Sequence, residues 1–275
     1  MMNFQVDKAK CIKCKICISE CPVLIIDGKS EYPEIKDGKE KNCLECQHCL
    51  AVCPEGAISI FGKVPGNSIP ADARLPEALE LENLMQLRRS VRKFQKQEIA
   101  PKLIQHIIAM AAYAPTGKNE NAVQFTVVDN RADMAKLREL AYGAIRQAYQ
   151  ENSLPQSYLY LNKFREVWES KGVDIIFRDA PHLLITSVPK TGTEPLTDGV
   201  IAATYFELLA NSYGLGTMWD GFAKYIFAAI APALTQTTGI PENHEIAAVM
   251  IFGKPGVKFA RSVQNDSPNI KRVAL

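Results

Sequence analysis

The chain has 275 residues, of which 47% are hydrophobic and 23% charged, with a formal net charge of +2. That length holds one large domain, or a small one beside a medium one, and the composition is ordinary for a globular protein. Lysines and arginines are scattered among acids, so there is no electrostatic case for nucleic acid or a membrane surface. The first residues, MMNFQVDKAKC, lack an apolar signal-peptide core. The most apolar helical stretch, 200 to 215, is broken by Glu207 and Asn211 and is too short to span a bilayer. The expectation is a soluble cytoplasmic protein with no nucleic-acid partner and no membrane segment.

All eight cysteines lie in two stretches, CIKCKICISECP at 11 to 22 and CLECQHCLAVCP at 43 to 54. Cys11, Cys14, Cys17 and Cys21 recur, shifted by 32 residues, as Cys43, Cys46, Cys49 and Cys53, and Pro22 or Pro54 follows each set. Cysteines three apart rarely meet bridge geometry, and a reducing compartment disfavours disulfides. A structural zinc usually takes two well-separated CxxC pairs, and two zincs could also use eight thiolates. The run C-x2-C-x2-C-x3-C-P resembles that of bacterial ferredoxins, here present twice, and points to two 4Fe–4S clusters. By that resemblance one cluster takes Cys11, Cys14, Cys17 and Cys53, and the other takes Cys43, Cys46, Cys49 and Cys21. The exchanged fourth ligand would crosslink the two halves of a segment with little apolar core. The prolines stop a helix from continuing past the last ligand. VLIID and GAISI, after each Cys-Pro, read as short strands packed on the clusters. His48 falls within the second loop and reads as a surface or packing residue, since the cysteine set is complete without it.

From Gly62 the stretch GKVPGNSIPADARLP holds three prolines and a second glycine, the chemistry of a linker. Residues 1–62 are therefore predicted as a cluster domain, 63–76 as a linker, and 77–275 as a second domain of mixed helix and sheet. LPEALELENLMQLRR and IAPKLIQHIIAMAAYAP carry helical periodicity, with Pro101 suited to a first turn and Pro115 just past the end. VQFTVVD reads as a strand. Residues 131 to 150 and 156 to 170 read as partly buried helices. HLLITSV and EIAAVMIFG read as buried strands, and Asp198 to Tyr213 as a central apolar helix ended by Gly214. The fold class predicted is α+β: a small two-cluster domain followed by an α/β sandwich.

The second domain lacks GxGxxG, a phosphate loop, GxSxG, HExxH and any spare cysteine, so its chemistry is expected to belong to a cofactor. LRRSVRKF places Arg88, Arg89 and Arg92 with Ser90, three guanidiniums and a hydroxyl suited to a phosphate and a carbonyl-rich ring. APTGKN (114 to 119), GLGTMWDGF (214 to 222) and FGKPGVKFAR (252 to 261) follow in order. Together these elements resemble the nitroreductase family of FMN enzymes over about 80 to 265. The resemblance implies a homodimer with FMN at the subunit interface. Arg88, Arg89, Ser90 and Arg92 would hold the phosphate and pyrimidine edge, and Pro115, Thr116, Gly117 and Asn119 would come from the partner chain. Arg261 and Lys254 would reach the phosphate. Trp219, Asp220 and Gly221 would lie near the flavin N5, offering backbone groups. Where family members often have Gln-Pro-Trp, this chain has Asn121-Ala122-Val123.

The function expected is an oxidoreductase passing electrons between two clusters and FMN to a small-molecule acceptor such as a nitroaromatic or quinone. No protein side chain is expected to act as a catalytic acid or base. NAD(P)H or a redox partner protein is the expected donor, and the cubanes suggest an anaerobic or low-oxygen setting. Two rival readings are a non-catalytic electron relay to a partner protein and a sensor module without flavin.

Overall fold

The computed structural model describes residues 2–266 and 268–274. By its contacts the chain divides into two units, Met1–Leu75 with Lys118–Glu120, and Pro76–Gly117 with Asn121–Leu275.

The first unit repeats its backbone as well as its cysteines. Helices α1 (Ile16–Ser19) and α2 (His48–Ala51) occupy equivalent places in the two copies, as do strands β2 (Ile26–Asp27) and β4 (Ile58–Ser59). The strands read at VLIID and GAISI are these two. Their partners come from outside the repeats: β4 pairs antiparallel with β1 (Gln5–Val6), and β2 with β3 (Glu34–Ile35). A two-residue strand is too short to show a period. Two small apolar clusters result. One gathers Cys17, Leu50, Ile58 and Ile60, and the other Cys21, Ile25 and Ile26.

The second unit is a four-stranded antiparallel sheet with helices on both faces. Its strands are β5 (Gln124–Val128), β6 (His182–Pro189), β7 (Gly216–Trp219) and β8 (His244–Gly253), in the order β5-β6-β8-β7. Successive side chains of a strand point to opposite faces. Leu183, Ile185, Val249 and Ile251 therefore join one core, with Met134, Leu137, Ala141 and Ile145 of α5 (Arg131–Gln150). Leu184, Ala248, Met250 and Phe252 join the other, with Ile104 and Ile107 of α4 (Pro101–Ala111) and Ala203, Phe206 and Ala210 of α7 (Pro195–Ser212). Coverage on both sides explains why β6 and β8 are apolar throughout rather than alternating.

Helix α3 (Ala78–Leu87) starts with a capping box between Glu77 and Glu80, and Asn130 caps α5 by accepting from the Asp133 N–H. Two details differ from the sequence expectation. The stretch 156 to 170 is a 3-10 turn at Gln156–Tyr158 after Pro155, then α6 (Tyr160–Lys171). Helix α7 begins three residues early because Pro195 is tolerated in a first turn. The segment 214 to 222 contains β7 and the start of α8 (Gly221–Tyr225), which leads into a π-helical turn and α9 (Pro232–Thr237). Gly199 lets α7 lie close on the sheet: a Cβ there would stand 2.2 Å from the Cβ of Ala247.

Candidate functional site

The cysteine loops are built by backbone that non-glycine residues seldom adopt. Lys13 and Lys15 have φ of 59° and 61°, and their counterparts Glu45 and Gln47 have 54° and 58°. Leu24 and Gly56, also equivalent, have 53° and 56°. Left-handed residues let a short loop turn backbone N–H groups inward, which suits an anionic iron–sulfur cluster. Two N–H groups already reach sulfur: Glu45 donates to Cys43 Sγ at 3.4 Å and Ala57 to Cys53 Sγ at 3.2 Å.

Cys21, Cys43, Cys46 and Cys49 line one apolar cavity with Ile25, Ile26 and Ile35. Three of these thiols come from the second run and one from the first. The thiol of Cys17 is pushed up by burial and then by the charges of Cys14, Cys53 and Cys11, the complementary set. Burial likewise pushes Cys49 up to about 11. Among the described residues no group of three or more Cys, His, Asp or Glu is arranged to hold a single metal ion. Four thiols spread around a cavity suit the separate corners of a cube better than one tetrahedral zinc. His48 is exposed at the start of α2.

In the second unit the arginine stretch runs beside two other elements. Ser90 bridges Thr217, and the Val91 N–H donates to the Thr217 carbonyl at 2.9 Å. Phe94 bridges Pro255, the Gln95 N–H donates to the Lys254 carbonyl at 2.9 Å, and the Gly256 N–H to the Lys93 carbonyl at 2.7 Å. Gly216 makes the approach possible, since a Cβ there would stand 2.6 Å from Val91 Cγ2. Arg88 to Arg92, the 216 to 221 segment and Lys254 are thus brought together. A cleft of about 570 Å³ opens beside them, lined in part by Arg89, Gln95, Gly214, Gly216, Gly256 and Lys258. Arg92 and Arg261 are exposed, and Lys254 is half-buried.

Arg88 and Trp219 meet on one acid. Glu207 on α7 accepts from Arg88 Nη1 at 3.1 Å and Trp219 Nε1 at 2.9 Å. Sequence reading took Glu207 only as an interruption of an apolar helix and did not single out Lys258. An acid inside an otherwise apolar helical stretch was the available signal, because such a residue is rarely buried without partners. Asp220 turns inward. Its backbone N–H donates to the Val249 carbonyl at 2.8 Å, and its carboxylate accepts from the Ala223 N–H at 2.9 Å to cap α8.

Within its own unit, Pro115 to Gly117 lies apart from this cluster. The Gly117 N–H donates to Asp198 Oδ1 at 2.9 Å, at the opposite end of α7 from Glu207. Nine helical residues place the two about 14 Å apart along the axis. Thr116 Oγ1 accepts from the Asn121 N–H at 3.0 Å. Asn119 belongs to the first unit, where its side chain donates to the Leu44 carbonyl at 2.9 Å.

A model described as the nitroreductase family matches residues 85–254, more than half of the chain. The chain belongs to the nitroreductase family. A model described as a 4Fe–4S dicluster domain matches residues 10–58. This nitroreductase is 26% identical over 182 residues to a putative NADH dehydrogenase/NAD(P)H nitroreductase of Methanothermobacter thermautotrophicus, covering 64% of this chain and 78% of that one. It is 26% identical over 141 residues to an iodotyrosine deiodinase of Haliscomenobacter hydrossis, covering 51% of this chain and 61% of that protein. The crystal structure of a nitroreductase with bound FMN from Bacteroides fragilis superimposes with a TM-score of 0.58 at 23% identity, over 71% of this chain and 99% of that one, a likeness of fold. The protein is thus a flavin oxidoreductase of this family carrying a 4Fe–4S ferredoxin domain, the α+β architecture expected from its sequence.

Proposed function

We propose that this nitroreductase passes electrons between two 4Fe–4S clusters and FMN to reduce an organic acceptor such as a nitroaromatic or quinone. The observation that carries the reading is the joining, in one chain, of four thiols around an apolar cavity to a family domain whose arginine stretch is fixed beside β7. Cys11, Cys14, Cys17 and Cys53 would hold one cluster, and Cys43, Cys46, Cys49 and Cys21 the other. Arg88, Arg89, Ser90, Arg92, Lys254 and Arg261 would hold FMN. Lys258 joins them because it lines the cleft with Arg89. Gly221, at the start of α8, is the backbone group left for the flavin ring, since the Asp220 N–H is taken by Val249.

Pro115, Thr116, Gly117 and Asn119 would serve the site of a second copy. Their place at the far end of α7 supports this. So does an apolar groove lined by Leu81, Leu84, Met110, Tyr205 and Leu209, with Leu81 44% and Tyr205 43% exposed. Bound FMN supplies transfer of one or two electrons to the acceptor. The chain's own residues would hold the flavin and set its ring edge against fixed backbone donors.

The test is an anaerobic titration of the purified protein with NADH and then NADPH, followed at the flavin band. Both flavin and iron–sulfur absorbance are expected. Rapid bleaching makes the flavin the entry point for electrons, and reduction only by dithionite or a reduced ferredoxin makes the clusters the entry point. A preparation that takes up no flavin sinks the reading.

A further inference from the structure

We propose that Glu207 is a positioning residue of the flavin site, acting through Arg88 and Trp219 and through its charge. The inference rests on the flavin reading above. Glu207 has a side chain only 6% exposed, on an α7 face otherwise made of Ala203, Phe206 and Ala210. A carboxylate in such a place is costly unless paired and fully hydrogen-bonded. Here both oxygens are hydrogen-bonded. Oε1 accepts from Arg88 Nη1 and from Thr217 Oγ1, each at 3.1 Å, and Oε2 accepts from Trp219 Nε1 at 2.9 Å. Thr217, its proton committed to Glu207, accepts from Asn211 Nδ2 at 2.9 Å, and Asn211 also donates to the Glu207 carbonyl at 2.8 Å.

Packing alone does not call for an acid here, because a leucine would fill an apolar helix face without burying a charge. What the acid does is tie together Arg88, from the stretch that would hold FMN, and Trp219, from the segment that would run beside the flavin ring. Each long side chain otherwise costs rotamer entropy to hold in one geometry. The charge has its own consequence. Reduction places negative charge on a flavin, so a fixed carboxylate nearby opposes it and the Arg88 guanidinium favours it. Glu207 and Arg88 together are neutral. Loss of Glu207 alone leaves the cation unopposed.

The test uses the FMN-loaded protein. Glu207→Gln keeps the volume and removes the charge and one acceptor. Its bound FMN is expected to have a more positive midpoint potential by spectroelectrochemistry. Adding Arg88→Gln restores charge balance and should return the potential toward wild type, without the unpaired buried acid that Arg88→Gln alone would leave. In a Trp168→Phe background, Trp219 emission should shift when Glu207 becomes Gln. An unchanged potential and unchanged emission, with or without a lower Tm, overturn the proposal. A positive shift that persists undiminished in the double variant overturns action through Arg88. A wild-type chain that binds no FMN removes the flavin reading itself, and this inference with it.

Discussion

Asp220 carries an unusual load for one side chain. It is 2% exposed, its Oδ1 caps α8, and its Oδ2 has no partner among the described residues. Burial pushes its carboxyl up to about 7, with the charge on Asp174 adding to the effect and the Ala223 N–H and Arg178 opposing it. The folded value lies above the unfolded value of 3.8, so the folded state holds the proton over a window where the unfolded state has released it. Stability from this group is therefore full below pH 4, falls as pH rises toward 7, and is flat beyond. Urea unfolding at a series of pH values should show the difference between wild type and Asp220→Asn changing across that window. A constant difference would mean that the buried carboxyl is not what titrates. Asp174 shows the contrasting arrangement. It is buried too, but Arg138 Nε at 2.6 Å, Tyr142 Oη at 2.9 Å and two backbone N–H groups satisfy it.

Among the elements, the repeated cysteine loops are the most closely specified. Equivalent left-handed residues, equivalent four-residue helices and equivalent strands follow one sequence motif used twice. The repeat makes a testable statement about which thiols belong together. Cys17→Ser and Cys53→Ser should each remove the same cluster signal in low-temperature EPR and about half of the iron, and Cys21→Ser and Cys43→Ser should remove the other. If Cys21→Ser instead mimics Cys17→Ser, the runs are not crossed. The motif made the dicluster domain legible because its cysteine spacing is local. The helices α4 and α5 were legible for a similar reason, since caps and a 3.6-residue period are local too. Strand β7 was not, because four residues show no period and its partners, β8 and the Ser90–Val91 segment, are distant in the chain.

For the whole molecule, the two ends of α7 matter most. The arginine stretch gathers near Glu207 and the Thr116–Gly117 turn near Asp198, so on the proposed reading one chain would not complete the flavin cradle by itself. A second copy covering the apolar groove of α3, α4 and α7 would do so. Sedimentation should give a dimer. Tyr205→Glu, which puts a charge into that groove, should shift it to monomer and weaken FMN binding at least about tenfold, since burying an unpaired charge costs several kcal/mol. A dimer that persists with full flavin content would place the interface elsewhere.

The sequence by itself determined the repeated cysteine motif, the family, most helices and the two central strands. Each depends on spacing or periodicity within a short window, where the backbone's own geometry converts residue order into position. Only the tertiary structure decided that Asp220 points inward and that Glu207 joins Arg88 to Trp219. Those are contacts between residues far apart in the chain, and a buried acid declares its partners only when packing has excluded water and left it no others.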